Sequence, residues 1–234
     1  MDSAATKEWR EAMTARSGAY RLLARLWMEE IDEEFWQGLS AAALLGVPEH
    51  LQLDSAYRTM ERYVQGAPGN VLKLLAADYA VLCRGVDPNR GADPYESVHR
   101  SSLGLMMQDE WEAVLHFYRS VGYSRTASSV EPEDHLGIEL ECMAHLCQRA
   151  ADASLQGDAA AALDAVEQQD TLLNEHLLKW VLDFVQAVLG AADTEFYRAA
   201  ATITQEYLLM DREFLQRLRE EMLVIPGTLA STVA

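Results

Sequence analysis

Apolar side chains recur every three or four residues in the long segments of the chain, which is the spacing of an amphipathic helix. One such stripe lies near the N-terminus and includes a single charged member: Trp9, Met13, Arg16, Tyr20, Leu23 and Trp27. A second lies near the C-terminus: Phe196, Ala200, Ile203, Tyr207, Met210, Phe214 and Leu218. Runs of β-branched residues at period two, which would favour strands, are missing from the sequence. The pattern therefore predicts an all-α protein.

Clusters of glycine and proline divide this pattern into about nine helices. After the first stripe we expect helices at about 32–45, 51–65, 69–84, 94–108, 109–121, 132–156, 159–189 with a break, and 194–222. We expect Pro226 and Gly227 to end the last helix. The prediction is a single globular helical domain over residues 1–228, with a sub-boundary near 122–131 and a disordered tail at 229–234.

Charge and composition narrow the range of functions. The chain carries 37 acidic and 19 basic residues, a net charge of −18, and half of its residues are apolar. An acidic surface repels phosphate backbones, so we expect no nucleic-acid partner and instead a basic one. The sequence has neither a targeting segment nor an apolar run long enough to span a bilayer, and its three cysteines cannot all pair. We therefore expect a cytoplasmic protein that does not insert into membranes and whose cysteines are small core residues.

A polar loop running into a predicted helix, residues 87–98, is the first candidate for function. Asp93 can cap this helix, with Pro94 as its first residue and Glu96 completing an acidic capping box. This interpretation needs no ligand, and the residues alone favour it.

The second candidate is residues 131–143, where four carboxylates and a histidine fall within nine residues: Glu131, Glu133, Asp134, His135 and Glu139. Proline and acids at a helix start explain part of this density but not all of it, so we expect a polar ligand here. Neighbouring carboxylates should favour the protonated form of His135. That side chain then either donates to a peptide carbonyl, which we favour, or braces the helix.

Catalytic and metal chemistry find no matching motif. The two pairs of glutamate and histidine, Glu131 with His135 and Glu141 with His145, are four residues apart rather than the three of a helical di-iron site. Phosphate-binding, nucleotide-binding and nucleophile-elbow motifs are missing as well. We expect no catalysis, no metal and no cofactor.

The segment Glu131-Pro132-Glu133-Asp134-His135-Leu136, followed by Glu139-Leu140-Glu141, resembles the signature of the TorD/DmsD family of redox-enzyme maturation chaperones. Three further segments resemble family features in the same order: Pro94-Tyr95-Glu96-Ser97-Val98, Leu172-Leu173 with His176-Leu177 and Trp180, and Phe196-Tyr197. The resemblance is strong over residues 94–208.

The resemblance implies an all-α chaperone that binds the twin-arginine leader peptide and the apo form of a molybdopterin oxidoreductase. It would assist cofactor insertion and proofread before export. It also implies either a monomer or a helix-swapped dimer exchanged through the 122–134 loop. Carried over by position, the leader-binding residues are Asp134, His135, Glu131, Pro132, Tyr95, Glu96, Ser97 and Glu139.

Family leaders carry an apolar stretch after the arginines, which requires an apolar groove. Tyr95, Leu136, Met143 and Trp180 are candidates to line it, although a core position is at least as good an explanation for the last three. His176 and Trp180 fit a structural role better than a binding role. An alternative function is an acidic helical adaptor for a basic helix of another cytosolic protein.

Overall fold

The computed structural model describes residues 4–43, 54–87, 89–124 and 130–224. These residues form ten α-helices and one π-helical turn. In chain order they are α1 (Ala4–Met28), α2 (Glu33–Ala43), α3 (Asp54–Gln65), α4 (Val71–Cys83), α5 (Glu96–Arg100), α6 (Asp109–Ser120), α7 (Leu136–Leu155), α8 (Ala159–Thr171), the π turn (Leu172–Leu177), α9 (Leu178–Ala191) and α10 (Glu195–Val224). Because α8, the π turn and α9 follow one another without interruption, they form one long helix. The prediction of an all-α domain with about nine helices is confirmed.

Two predicted helices have different limits in the structure. The helix expected at 94–108 is the single short helix α5, because Ser101 takes an extended conformation and ends it. Asp93 has a left-handed φ of 46° and cannot cap this helix; Tyr95 stands at the cap position and contributes no side-chain hydrogen bond. The helix expected from residue 132 begins at Leu136. Proline and the acids before it form a turn rather than a first helical turn.

The helix pair α1 and α7 forms the centre of the core. Gly137 lies where the two helices come closest, because a Cβ atom there would lie 2.9 Å from Met28 Cε and 3.3 Å from the carbonyl oxygen of Ala24. On its other side α1 contacts α10, where the Trp27 indole N–H donates to Thr204 Oγ1 at 3.0 Å. α1 therefore packs between α7 and α10.

Arg16, the charged member of the first apolar stripe, is buried. Its guanidinium donates to both carboxylate oxygens of Asp211 on α10, at 2.6 and 2.8 Å, and to Gln169 Oε1 on α8 at 2.6 Å. The Tyr20 hydroxyl also donates to Asp211, at 2.6 Å. The buried Arg16 guanidinium thus joins α1 to α10 through an ion pair and to α8 through a hydrogen bond.

Several sequence predictions concern residues outside the described part of the chain. They are the end of the last helix at Pro226 and Gly227, the tail at 229–234, and the part of the 122–134 loop formed by residues 125–129. The domain limits and the swapped dimer therefore stay predictions. No helix in the described ranges is long and apolar enough to cross a membrane. All three cysteines are buried and unpaired, as expected for core residues.

Candidate functional site

The starts of α5 and α7 lie side by side and bring the two candidate segments together. The backbone N–H of Glu96 donates to the carbonyl oxygen of Asp134 at 2.9 Å, and that of Leu136 donates to Pro94 at 2.8 Å. These bonds flank an antiparallel bridge between Tyr95 and His135. The polar loop before α5 and the acidic turn before α7 are therefore a single site.

Three carboxyl groups of this site are fully buried: Glu96, Asp134 and Glu139. Asp134 Oδ2 accepts the backbone N–H of Ser97 at 2.9 Å, which holds the first turn of α5 against the acidic turn. The Trp180 indole N–H lies 3.5 Å from Glu139 Oε2, at the limit of a hydrogen bond. Because these three carboxyl groups are buried, a ligand cannot contact them in this structure.

Glu96 is the best-partnered of the three acids. It pairs with Arg100, one turn later on α5, and His176 Nδ1 of the π turn lies 3.0 Å from its Oε2. The acid cluster therefore ties α5 to the long helix formed by α8, the π turn and α9.

Burial shifts the pKa of the other two acids upward. Burial raises the pKa of Glu139 well above its ordinary range, and the neighbouring charges of Glu96 and Asp134 raise it further. Burial also raises the pKa of Asp134, although hydrogen bonds from Ser97 oppose the shift. Asp134 Oδ1 and Glu139 Oε1 are buried without a hydrogen-bond partner. Such surroundings disfavour the charged form of a carboxyl group.

His135 is neutral, and the expectation that its protonated form is favoured is wrong. Burial lowers its pKa from 6.5 to about 4, more than the nearby Glu131 charge can offset. Its Nδ1 accepts the backbone N–H of Gly137 at 3.0 Å and so caps α7. The ring contacts Tyr95 edge to face, with ring centroids 5.2 Å apart. In this structure the side chain is a helix cap and a packing element.

The accessible rim of the site consists of Glu131, Pro132 and Glu133, which are half-buried. Glu131 accepts the Tyr95 hydroxyl at 2.6 Å and pairs with the Arg84 guanidinium. Burial alone would raise the pKa of Glu131, but these two hydrogen bonds lower it, so the group is a carboxylate. Glu133 Oε2 accepts the Trp111 indole N–H at 2.8 Å.

The apolar groove expected from the sequence is not formed by the residues proposed for it. Tyr95, Leu136, Met143 and Trp180 are all buried in the core. Exposed apolar side chains lie instead in the connection between α5 and α6, which we call the apolar loop (residues 103–107). It reaches the site through the backbone N–H of Met107, which donates to Ser97 Oγ at 3.1 Å.

Arg84, Arg100 and Trp111 complete the site, and sequence reasoning missed them. Arg84 lies 47 residues before its partner Glu131, and a single arginine between a helix and a loop has no distinguishing pattern. Arg100 follows Glu96 by four residues, which is a recognisable helical ion-pair spacing. Within the described ranges no three His, Cys, Asp or Glu side chains are arranged to hold a metal ion.

Comparison with known proteins shows a consistent relationship. The family model of the nitrate reductase delta subunit matches residues 50–186, which contain both segments of the site. Chaperone protein TorD of Aeromonas salmonicida is 33% identical over 151 residues, covering 62% of this chain and 62% of that protein. The TorD chaperone of Shewanella pealeana is 25% identical over 214 residues (86% of this chain, 90% of that protein). That of Psychrobacter sp. is 26% identical over 225 residues (92% and 98%). These relatives are chaperones, in agreement with the expectation that this chain is not an enzyme.

Proposed function

Because this chain belongs to the nitrate reductase delta subunit family, as a chaperone of the TorD/DmsD type, we propose that it is a cytoplasmic chaperone dedicated to one molybdopterin oxidoreductase. It binds the twin-arginine leader and the apo form of that enzyme's catalytic subunit. By holding this subunit it assists cofactor insertion and prevents premature export.

The observation that carries the proposal is the pairing of Glu131 with Arg84 at the rim. A carboxylate that already accepts a guanidinium is suited to accept one from a peptide. The Arg84 side chain is 42% exposed, so its guanidinium can leave, whereas the Glu131 side chain is only 12% exposed, so its carboxylate needs a replacement partner. A peptide arginine can therefore displace Arg84 with little loss of stability.

The second arginine of the leader pairs with Glu133, two residues along the same turn. The Trp111 indole holds this carboxylate in place. A planar guanidinium makes two parallel hydrogen bonds to a carboxylate, whereas an ammonium group makes a single-point contact. Twin lysines should therefore bind less well than twin arginines. The net charge of −18 attracts the basic end of the leader from a distance.

The site residues predicted from the sequence take two different roles in this proposal. Glu131 and Pro132 lie at the rim and contact the leader, and the buried Tyr95 holds Glu131 there through its hydroxyl. The buried members position the turn that carries the rim: Glu96, Ser97, Asp134, His135 and Glu139. The assignment follows from burial, since a fully buried side chain is not available to a peptide.

Calorimetric titration with twin-arginine leader peptides from the same source organism tests the proposal, with a twin-lysine version of each peptide as control. We expect one leader to bind with a Kd near 1 μM, about −8 kcal/mol, and its lysine version to bind much more weakly. Equal affinity for both versions would favour an acidic helical adaptor instead. Absence of binding to every leader, by monomer and dimer alike, would refute leader recognition.

Arg84→Gln tests the displacement step. If the leader displaces Arg84, removing that guanidinium should tighten leader binding severalfold. Arg90→Gln is the matched control, because Arg90 is also 42% exposed and pairs with an exposed carboxylate, Asp193, in the neighbouring loop. An equal gain from both substitutions would mean that net charge, and not the Glu131 carboxylate, controls the affinity.

A further inference from the structure

The apolar loop exposes more apolar side chain than any comparably short stretch of the described residues. Its exposed fractions are 67% for Leu103, 57% for Leu105, 50% for Met106 and 56% for Met107. Single exposed apolar residues are ordinary on protein surfaces, but a contiguous group of them marks an interaction surface.

The loop is held in place by hydrogen bonds to its own ends and to the site. Gly104 N–H donates to the carbonyl oxygen of Ser101 at 3.2 Å, and the Gln108 side chain donates to that of Met106 at 2.9 Å. Met107 has a left-handed φ of 59° and is fixed by its bond to Ser97 Oγ. The backbone thus presents these side chains to solvent in a defined arrangement.

Negative charge lies beside this apolar surface. The loop leads directly into α6, whose first turn carries Asp109, Glu110 and Glu112. Trp111 in the same turn contacts Glu133 of the acidic rim. A partner that matches this surface has an apolar stretch next to positive charges.

We infer that the apolar loop is the docking surface for the apolar stretch that follows the arginines in the client leader. The inference rests on the proposed function and names a second part of the same binding surface. With the arginines at Glu131 and Glu133, the peptide chain continues past Trp111 onto the loop. Methionine side chains are flexible and polarisable, so they adapt to apolar sequences of different shape.

A cycle of two protein variants and two peptides tests the inference. The loop variant is Leu103→Ser with Leu105→Ser and Met106→Ser, which leaves Gly104 and the hydrogen-bonded backbone of Met107 unchanged. The control variant is Leu22→Ser with Leu155→Ser, which removes exposed leucines from α1 and α7. One peptide is the intact leader, and the other keeps both arginines but has serine and glycine in place of its apolar stretch.

We expect the loop variant to bind the intact leader about tenfold more weakly or worse, since a few apolar contacts dominate most interfaces. It should bind the serine–glycine peptide as the wild type does, and the control variant should match the wild type with both peptides. All variants should melt at the wild-type temperature, because only exposed side chains change.

A photoreactive benzophenone in the apolar stretch of the leader gives an independent readout. After irradiation, we expect cross-links to residues 103–107, located by mass spectrometry. Cross-links confined to other surfaces would overturn the inference.

The outcomes separate this inference from the proposed function. A wild-type protein that binds neither peptide refutes the proposed function, and this inference with it. A loop variant that binds the intact leader as tightly as the wild type refutes the inference alone. An equal loss of leader affinity in the control variant also refutes the inference. The same holds if the wild type is a dimer that the loop substitutions dissociate, because the loop would then be the contact surface for a second copy of the chain.

Discussion

Replacing His135 by asparagine separates the capping role of this residue from its titration. Asparagine places Oδ1 where histidine has Nδ1, so the hydrogen bond from the Gly137 N–H can be kept. The substitution removes the ring that packs against Tyr95 and the group that titrates. Stability at pH 7.5 should therefore fall by about 1–2 kcal/mol, from lost packing alone.

The sign and size of the pH effect follow from the lowered pKa. As the pH falls, the unfolded chain binds a proton on His135 near 6.5, whereas the folded protein resists protonation until about 4. Within this window the unfolded state holds more protons, so the wild type loses stability as the pH falls. Each pKa unit corresponds to about 1.4 kcal/mol, which gives about 3 kcal/mol between neutral pH and pH 4. The asparagine variant lacks this loss, so the two stabilities should cross between about pH 5 and 6, and the variant should be the more stable at pH 4.

Urea unfolding from pH 4 to 8, followed by circular dichroism, measures the effect as the difference between variant and wild type. Taking the difference cancels the titration of the other acids. His116→Asn, at an exposed position on α6, is the control and should leave the pH profile unchanged. A difference between His135→Asn and wild type that stays constant with pH would show that His135 titrates normally, and would refute the neutral, buried cap.

Three further substitutions test the packing and charge of the core. Glu139→Gln mimics the protonated acid. Because burial raises the pKa of Glu139 in the folded protein, the unfolded chain ionises first as the pH increases, so urea unfolding should show a variant as stable as the wild type near pH 4 and more stable at higher pH, by up to about 1.4 kcal/mol per pH unit above the ordinary pKa of glutamate. Gly137→Ala should cost about 1–3 kcal/mol because of the contact with α1, whereas Gly190→Ala, with open space around the added methyl group, should be neutral or stabilising by thermal melting. Asp211→Ala should cost about 3–5 kcal/mol in urea unfolding because it leaves the Arg16 guanidinium buried and unpaired, and a smaller loss would mean that water reaches this charge.

Apolar periodicity was sufficient to predict most helices because they are amphipathic and several turns long. α6 and α10 begin and end within two residues of their predicted limits. The helix expected at 94–108 was wrong because the Ser97 hydroxyl accepts the N–H of Met107 and so stabilises a loop. Such a contact between a side chain and a distant backbone group leaves no periodic pattern.

The density of carboxylates located the site but not the environment of its acids. The sequence analysis assigned Glu96, Asp134 and Glu139 to leader binding, whereas the structure buries all three. Burial depends on which helices pack around a position, and the partners of Glu96 include His176, 80 residues later in the chain. The apolar loop was missed for the related reason that its leucines and methionines were assigned to a helix.

The π turn at Leu172–Leu177 determines which side of α9 faces the core, because α9 continues directly from it. An α-helix advances about 100° per residue, and a π turn accommodates one more residue than an α turn. This offset lets α8 face α7 while α9 faces α5 and α10. Deleting Asn174 would restore a regular α-helix and rotate α9 by about 100°, turning the exposed Lys179 and Asp183 away from their present positions. The one additional residue in the π turn is therefore needed for the long helix to place His176 beside Glu96.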